Sequence, residues 1–189
     1  LVCLLGYTTH ALLDACTTYG TLLLWPFSDL RIAWNNVSVV DPIFTIPLII
    51  LVILSVRKAN PVFSKMALVW GVSYLLIGVM QRERAELLGW DLAESRGHTP
   101  ARLEAKPGFG NLLLWKIVYE TNDRFYVDAY RMGVKPQLFE GDSLKKLDMA
   151  RDLPWLEADT QQGDDLRRFK WFSNDYLGID PNNPLYIID

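Results

Sequence analysis

The run GYTTHALLDACTTYG (residues 6–20), continued by LLLWPFS (22–28), is an apolar segment carrying one histidine and one carboxylate four residues apart. On an α-helix that spacing sets the His10 and Asp14 side chains one turn apart on the same face, where both can reach one ion or one substrate. Gly20 suits the left-handed conformation that closes a helix end. Trp25-Pro26 then forces extended or turning backbone. Polar, potentially reactive groups thus lie at the mouth of an apolar element. Ionisable residues in membrane-embedded helices default to function. The blander account is a His–Asp pair that satisfies its own hydrogen bonds. Two ligands also fall short of the three or four that a protein gives to zinc.

Beyond this segment, 28–38 (SDLRIAWNNVS) reads as a polar re-entry loop, with Asp29 and Arg31 solvated and Trp34 an interfacial anchor. Asp41-Pro42 opens the next helix, Asp as N-cap and Pro at the first helical position. Residues 42–56 are almost unbroken Ile, Leu and Val, with Pro47 a tolerated kink. Residues 66–80 (MALVWGVSYLLIGVM) form a second apolar segment, in which Gly71 and Gly78 allow close helix approach. Together they predict a helical hairpin. Its connection, 57–65 (RKANPVFSK), holds three cations and no acid, which places it in the cytoplasm by the positive-inside rule. His10, Asp14 and Asp41 then belong to the opposite side.

The charge distribution divides the chain. Residues 1–80 hold three acids (Asp14, Asp29, Asp41) and four bases (Arg31, Arg57, Lys58, Lys65) of the 22 and 19 in all, leaving 19 and 15 for residues 81–189. The first part is membrane-like and nearly neutral; the second is a charged, mildly acidic piece. A net charge of −3 gives no electrostatic footprint for nucleic acid. Cys3 and Cys16 are too few for a disulfide framework and read as small buried packing residues.

Residues 81–102 read as an amphipathic helix ending near Gly97, with His98 a solvated surface histidine, and KPGFG (106–110) as a turn-rich linker. After that the hydrophobic period changes. Residues 112–120 and 124–131 predict a β-hairpin across Thr-Asn-Asp, with Trp115, Ile117, Tyr119 and Phe125 in one core. Residues 134–140 suggest a further strand, 143–151 a short helix, 166–173 a half-buried helix or strand, and 185–189 a last strand. The expected fold is an α-helical membrane region over 1–80, a hairpin plus the motif-bearing helix. A linker helix (81–104) and a small α+β extramembrane domain (105–189) follow.

The ordered series His10-Ala-Leu-Leu-Asp14, Thr18-Tyr-Gly-Thr21, Trp25-Pro-Phe-Ser28 and Val40-Asp-Pro-Ile-Phe-Thr45 resembles the predicted membrane-bound metal-dependent hydrolases, which include the LexA-binding inner-membrane proteins of bacteria. The likeness covers the first 50 residues well and, more loosely, 112–116 and 169–173. Family members usually carry an N-terminal Asp-rich motif and a His-Arg…Thr-His-Ser motif. Neither is present, so the chain is expected to be a C-terminal fragment.

The resemblance implies an integral inner-membrane hydrolase, with His10 and Asp14 ligating one divalent metal such as zinc or manganese. Asp41 would be a ligand, an orienter or the base that positions water, besides its cap role, and Tyr19 could hold an oxyanion. A phosphoester or lipid-like substrate suits a site at the membrane surface. The competing class is a non-enzymatic membrane protein that docks a protein partner through its extramembrane domain, with the His–Asp pair as intramembrane glue. A bound metal separates the two.

Overall fold

The computed structural model describes residues 2–181, 183 and 186–189. Leu1 and Leu185, expected in the first helix and the last strand, lie outside the described residues. Helix α1 (Val2–Ala15) is followed by an irregular stretch to residue 41, then α2 (Pro42–Lys58) and α3 (Pro61–Ser95). The α2–α3 hairpin is set by chemistry at both ends. Asp41 caps α2, its Oδ1 accepting from the Ile43 and Phe44 amides at 3.0 and 3.1 Å. At the turn Ala59 adopts φ 48°, and Asn60 caps α3 by accepting from Val62 N at 2.9 Å.

Between the two helices, Phe44 and Trp70 flank the Tyr74 ring at 5.4 and 5.7 Å, and Trp70 Nε1 donates to Phe44 O at 3.2 Å. Ala67 is buried too, but most other apolar side chains of the hairpin face outward: α2 has no buried residue, and only 17% of the apolar window of α3 is buried. Contiguous exposed apolar surface of this extent needs an apolar surrounding. Among the described residues α3 is the one helix long and apolar enough to cross a membrane. With 17 residues, α2 falls slightly short of the roughly 20 that a span takes.

The second apolar segment does not stop at residue 80. It begins at Pro61, takes in part of the expected basic loop, and continues through 81–95 as the same helix. The reason is local: 81–88 (QRERAELL) consists of strong helix formers with no Pro or Gly to break it. At ~1.5 Å per residue its 35 residues extend roughly 50 Å.

The far half of α3 carries a four-stranded antiparallel sheet, β1 (Arg102–Pro107), β2 (Leu114–Glu120), β3 (Arg124–Arg131) and β4 (Gln137–Lys145), in sequential order. Ala85, Gly89, Leu92 and Ala93 bury against Ala105, Trp115, Ile117, Tyr119 and Tyr130. Strand β1 falls on residues that the sequence alone assigns to a helix end (up to 104) and a turn (from 106). The β2–β3 hairpin forms as predicted, but Phe125 does not join Trp115. Opposite Glu120 in the register, it lies on the other sheet face, clustered with Val118 and Tyr176. Tyr176 packs on that face from the C-terminal segment, which comprises α4 (Met149–Asp152), α5 (Gln161–Phe172) and the paired β5 (Gly178–Ile179) and β6 (Ile187–Ile188). Residues 143–145, expected in a helix, belong to β4.

His98 is half-buried rather than freely solvated. Its Nδ1 lies 2.9 Å from the Tyr119 hydroxyl and its ring 4.5 Å from that of Tyr126. Arg96 donates to the same hydroxyl at 3.2 Å and to both oxygens of buried Asp128, at 2.6 and 3.0 Å. This network pins the C-terminus of α3 to the sheet.

Candidate functional site

Helix α1 ends at Ala15, earlier than the expected Gly20. Thr17 Oγ1 donates to Asp14 O at 2.7 Å and accepts from Gly20 N at 3.3 Å, so the chain turns away from the helix axis. Gly20 does take a left-handed φ of 64°, but for another reason: a Cβ there would stand 2.3 Å from Ile32 O. The Thr21–Ile32 and Thr17–Val37 bridges fold the 28–38 loop back beneath α1. Trp34 N donates to Ala15 O, and the Asn36 and Val37 amides converge on Cys16 O at 2.8 and 3.1 Å.

His10 and Asp14 meet as the helical spacing requires, with Nε2 3.3 Å from Oδ2. Both are open to the surroundings, their side chains 68% and 42% exposed. Asp41 is the opposite case. It is buried, with Oδ1 taken by the two cap amides and Oδ2 accepting from the Tyr74 hydroxyl at 2.7 Å. Its carboxylate therefore ties the start of α2 to the middle of α3. Tyr19 is exposed, with its ring 5.9 Å from Phe172 of α5 and its carbonyl accepting from Arg31 Nη1 at 2.5 Å. Arg31, expected to be solvated, thus bridges the loop to the motif.

A cavity of about 370 Å³ brings three of the four residues together: Asp14, Tyr19 and Asp41 line it with Thr17, Ser38 and Thr45. Among the described residues no Lys, Arg or His lines it. His10 lines instead an apolar groove of about 860 Å³ between α1 and the hairpin. Cavity and groove share Leu13 and Phe44 as walls. Among the described residues no group of three or more His, Cys, Asp or Glu is placed to hold a metal ion.

Several residues that shape this region were not singled out from sequence. Tyr74 had a readable signal, a hydroxyl in an otherwise apolar helix. Arg82 had none: it donates to Trp34 O at 2.7 Å and Asn36 Oδ1 at 3.0 Å, anchoring the loop on α3 from 46 or more residues away. Cys16 is half-buried beside Asn36, in keeping with a packing role, whereas Cys3 is exposed on α1 rather than buried.

Residues 1–85 match the family model of the YdjM inner membrane protein. The helical part of the chain, with the whole His10–Asp41 region, is therefore similar to a family of inner-membrane proteins. No curated protein and no solved structure matches the chain.

Proposed function

We propose that this chain belongs to a multi-pass inner-membrane hydrolase that uses a divalent metal ion and acts at the bilayer surface. The observation that carries the reading is the 3.3 Å separation of His10 Nε2 and Asp14 Oδ2 at the mouth of an apolar helix. Two donors held tetrahedrally at ~2.0–2.2 Å from one ion stand roughly 3.3–3.6 Å apart, so the pair fits as two ligands of a common zinc or manganese. A neutral imidazole and a carboxylate are a donor set both metals accept. Asp41 does not fit as a direct ligand while both its oxygens are engaged. Its role is to fix the start of α2 and keep a second negative charge in the wall of the cavity.

When bound, the ion would supply Lewis acidity and lower the pKa of a coordinated water. The chain's own residues do the rest. His10, if it ligates through Nε2, is neutral, with Nδ1 free for a carboxylate or carbonyl partner. The Tyr19 hydroxyl, from the cavity wall, would donate to a developing oxyanion. The polar cavity suits the head of a substrate and the adjoining groove its apolar part, which favours a lipid-like molecule or a phosphoester carrying an apolar chain. The three-cation turn around 57–65 lies in the cytoplasm, and the sheet domain outside it.

The test is elemental mass spectrometry on the protein purified from membranes without chelator. One equivalent of metal is expected, lost in His10→Ala and in Asp14→Asn while both variants remain folded in the membrane. If the wild type lacks stoichiometric metal, or both variants keep it, the hydrolase reading fails. The His–Asp pair is then helix glue in a membrane protein that docks a partner through its sheet domain.

A further inference from the structure

The four-stranded sheet has two ends, and the turns at those ends differ in kind. The register, from Pro107–Trp115 through Leu114–Arg131 to Arg131–Gln137, places the 108–113 and 132–136 turns together at one end. Met132 N donates to Leu113 O at 2.5 Å and joins them. Residues 97–101 (GHTPA) and 121–123 (TND) lie at the other end. This second pair is polar or small throughout, as turns in water ordinarily are. The first pair is not. Phe109 is 78% exposed, Val134 fully so and Leu113 more than half. Asn111 holds the tip in that shape: its Oδ1 accepts from the Leu113 and Leu114 amides at 2.8 Å, and its Nδ2 donates to Phe109 O at 2.9 Å.

The apolar-tipped turns meet the helices where the membrane-like stretches end. Gln81 Nε2 donates to Leu112 O and Arg84 Nη2 to Gly133 O, each at 3.4 Å. The apolar run of α3 closes at Met80, so both contacts fall within about 6 Å of its end along the helix. A Cβ on Gly110 would lie 3.3 Å from Pro42 Cδ, so the first turn also abuts the start of α2. The polar turns lie at the level of Arg96, which bonds Tyr119 and stands roughly 24 Å beyond Met80. A bilayer's polar layer is ~5–8 Å thick on each side of its hydrocarbon core. With α3 crossing, the first pair of turns falls within that layer and the second lies clear of it. Phe109, Leu113 and Val134 thus stand where the uncovered apolar surface of Ile43 and Met80 ends.

We propose that the 108–113 and 132–136 turns are seated in the phospholipid headgroup layer, with Phe109, Leu113 and Val134 reaching its acyl boundary. The partner is the bilayer lipid itself, because the contacts that hold these side chains out also hold them beside the ends of α2 and α3. Apolar side chains at that depth are removed from water without a protein partner. The sheet packs directly on α3, so seating its turns fixes the tilt of the helix. The inference rests on the crossing of α3 in the reading above, and not on a metal at His10 and Asp14.

The experiment is fluorescence quenching by lipid-attached nitroxides in phosphatidylcholine proteoliposomes. In a variant lacking Cys3 and Cys16, bimane is attached after Phe109→Cys or Val134→Cys in the seated turns. Asn122→Cys, in a polar turn, and Leu76→Cys, at an exposed position in the apolar run of α3, carry the same label as references. A headgroup nitroxide should quench positions 109 and 134 roughly twofold or more above 122. A nitroxide near the middle of the acyl chain should quench 76 most. If 76 is quenched but either turn is quenched no more than 122, the seating is overturned and the crossing of α3 stands. If 76 is quenched no more than 122, both fail.

Discussion

The two glycines that the sequence offered as close-approach points in the second apolar segment behave differently once their neighbours are known. A Cβ on Gly71 would meet nothing nearer than Leu48 Cδ2 at 3.8 Å, an ordinary contact. A Cβ on Gly78 would stand 2.4 Å from the carbonyl oxygen of Asn36, a backbone atom that cannot swing aside. Gly78 is therefore required not by helix α2 but by the 28–38 loop, which Arg82 clamps in place one turn further on. Gly71→Ala should be neutral or stabilising by up to ~1 kcal/mol, since alanine orders a helix at lower entropic cost. Gly78→Ala should destabilise by ~1–3 kcal/mol as the loop is pushed off. Unfolding of the bilayer-reconstituted variants by denaturing detergent measures both. Equal effects at the two positions would mean that the loop does not rest on α3.

At the scale of elements, the parts of the fold set by local chemistry were readable and the parts set by long-range contact were not. The Asp41-Pro42 cap, the alternation of Trp115, Ile117 and Tyr119, and the Thr-Asn-Asp turn each carry their signal within a few residues. Strand β1 does not: RLEAKP has no β-branched or aromatic residue, and it becomes a strand because β2 pairs with it from Arg102–Glu120 to Pro107–Trp115. For the same reason the seating of Phe125 on the face opposite Trp115 follows from register, which composition does not encode. At the site, His10 and Asp14 were legible through helical spacing, whereas the engagement of both Asp41 oxygens depends on Tyr74, 33 residues away.

Glu120 is the ionic tie across this sheet, accepting from Arg102 of β1 and from Lys146 just after β4. Burial pushes its carboxyl up, but the bonds from Lys146 and Arg102 together hold it below the ordinary range. A depressed folded-state pKa contributes stability above the unfolded value, ~4.3, that is lost as pH falls through the folded value. The stability of the domain should thus decline below about pH 4.3, and Glu120→Gln should lower stability at pH 7 by roughly 1.5–3 kcal/mol while flattening that decline. Parallel wild-type and variant pH profiles would refute the tie.

For the whole molecule, α3 is the member that joins two environments. Its first half, from Pro61, leaves most of its apolar surface uncovered, while its second half buries Ala85, Gly89 and Ala93 beneath the sheet. Gly89 has the sheet so close that an added Cβ would lie 2.8 Å from Ile117 Cγ2, so domain and helix move as one piece. The loop side is held too: Gln81 Nε2 reaches Leu112 O at 3.4 Å, and the Tyr19 ring meets Phe172. A hydrocarbon core ~30 Å thick is shorter than the roughly 50 Å of this helix. On the proposed topology α3 crosses that core, which puts the cationic turn at one end and the sheet domain at the other on opposite sides of the membrane. The proposal puts this turn, with its three cations, in the cytoplasm. Single cysteines at Ser64 and Ser143, in a variant lacking Cys3 and Cys16, should be labelled by a membrane-impermeant maleimide from opposite sides, Ser143 from outside the cytoplasm. Labelling of both positions from one side would mean that α3 does not cross. Labelling of Ser143 from the cytoplasm alone would invert the orientation, and the polar cavity beside Asp14 and Asp41 would open inward with it.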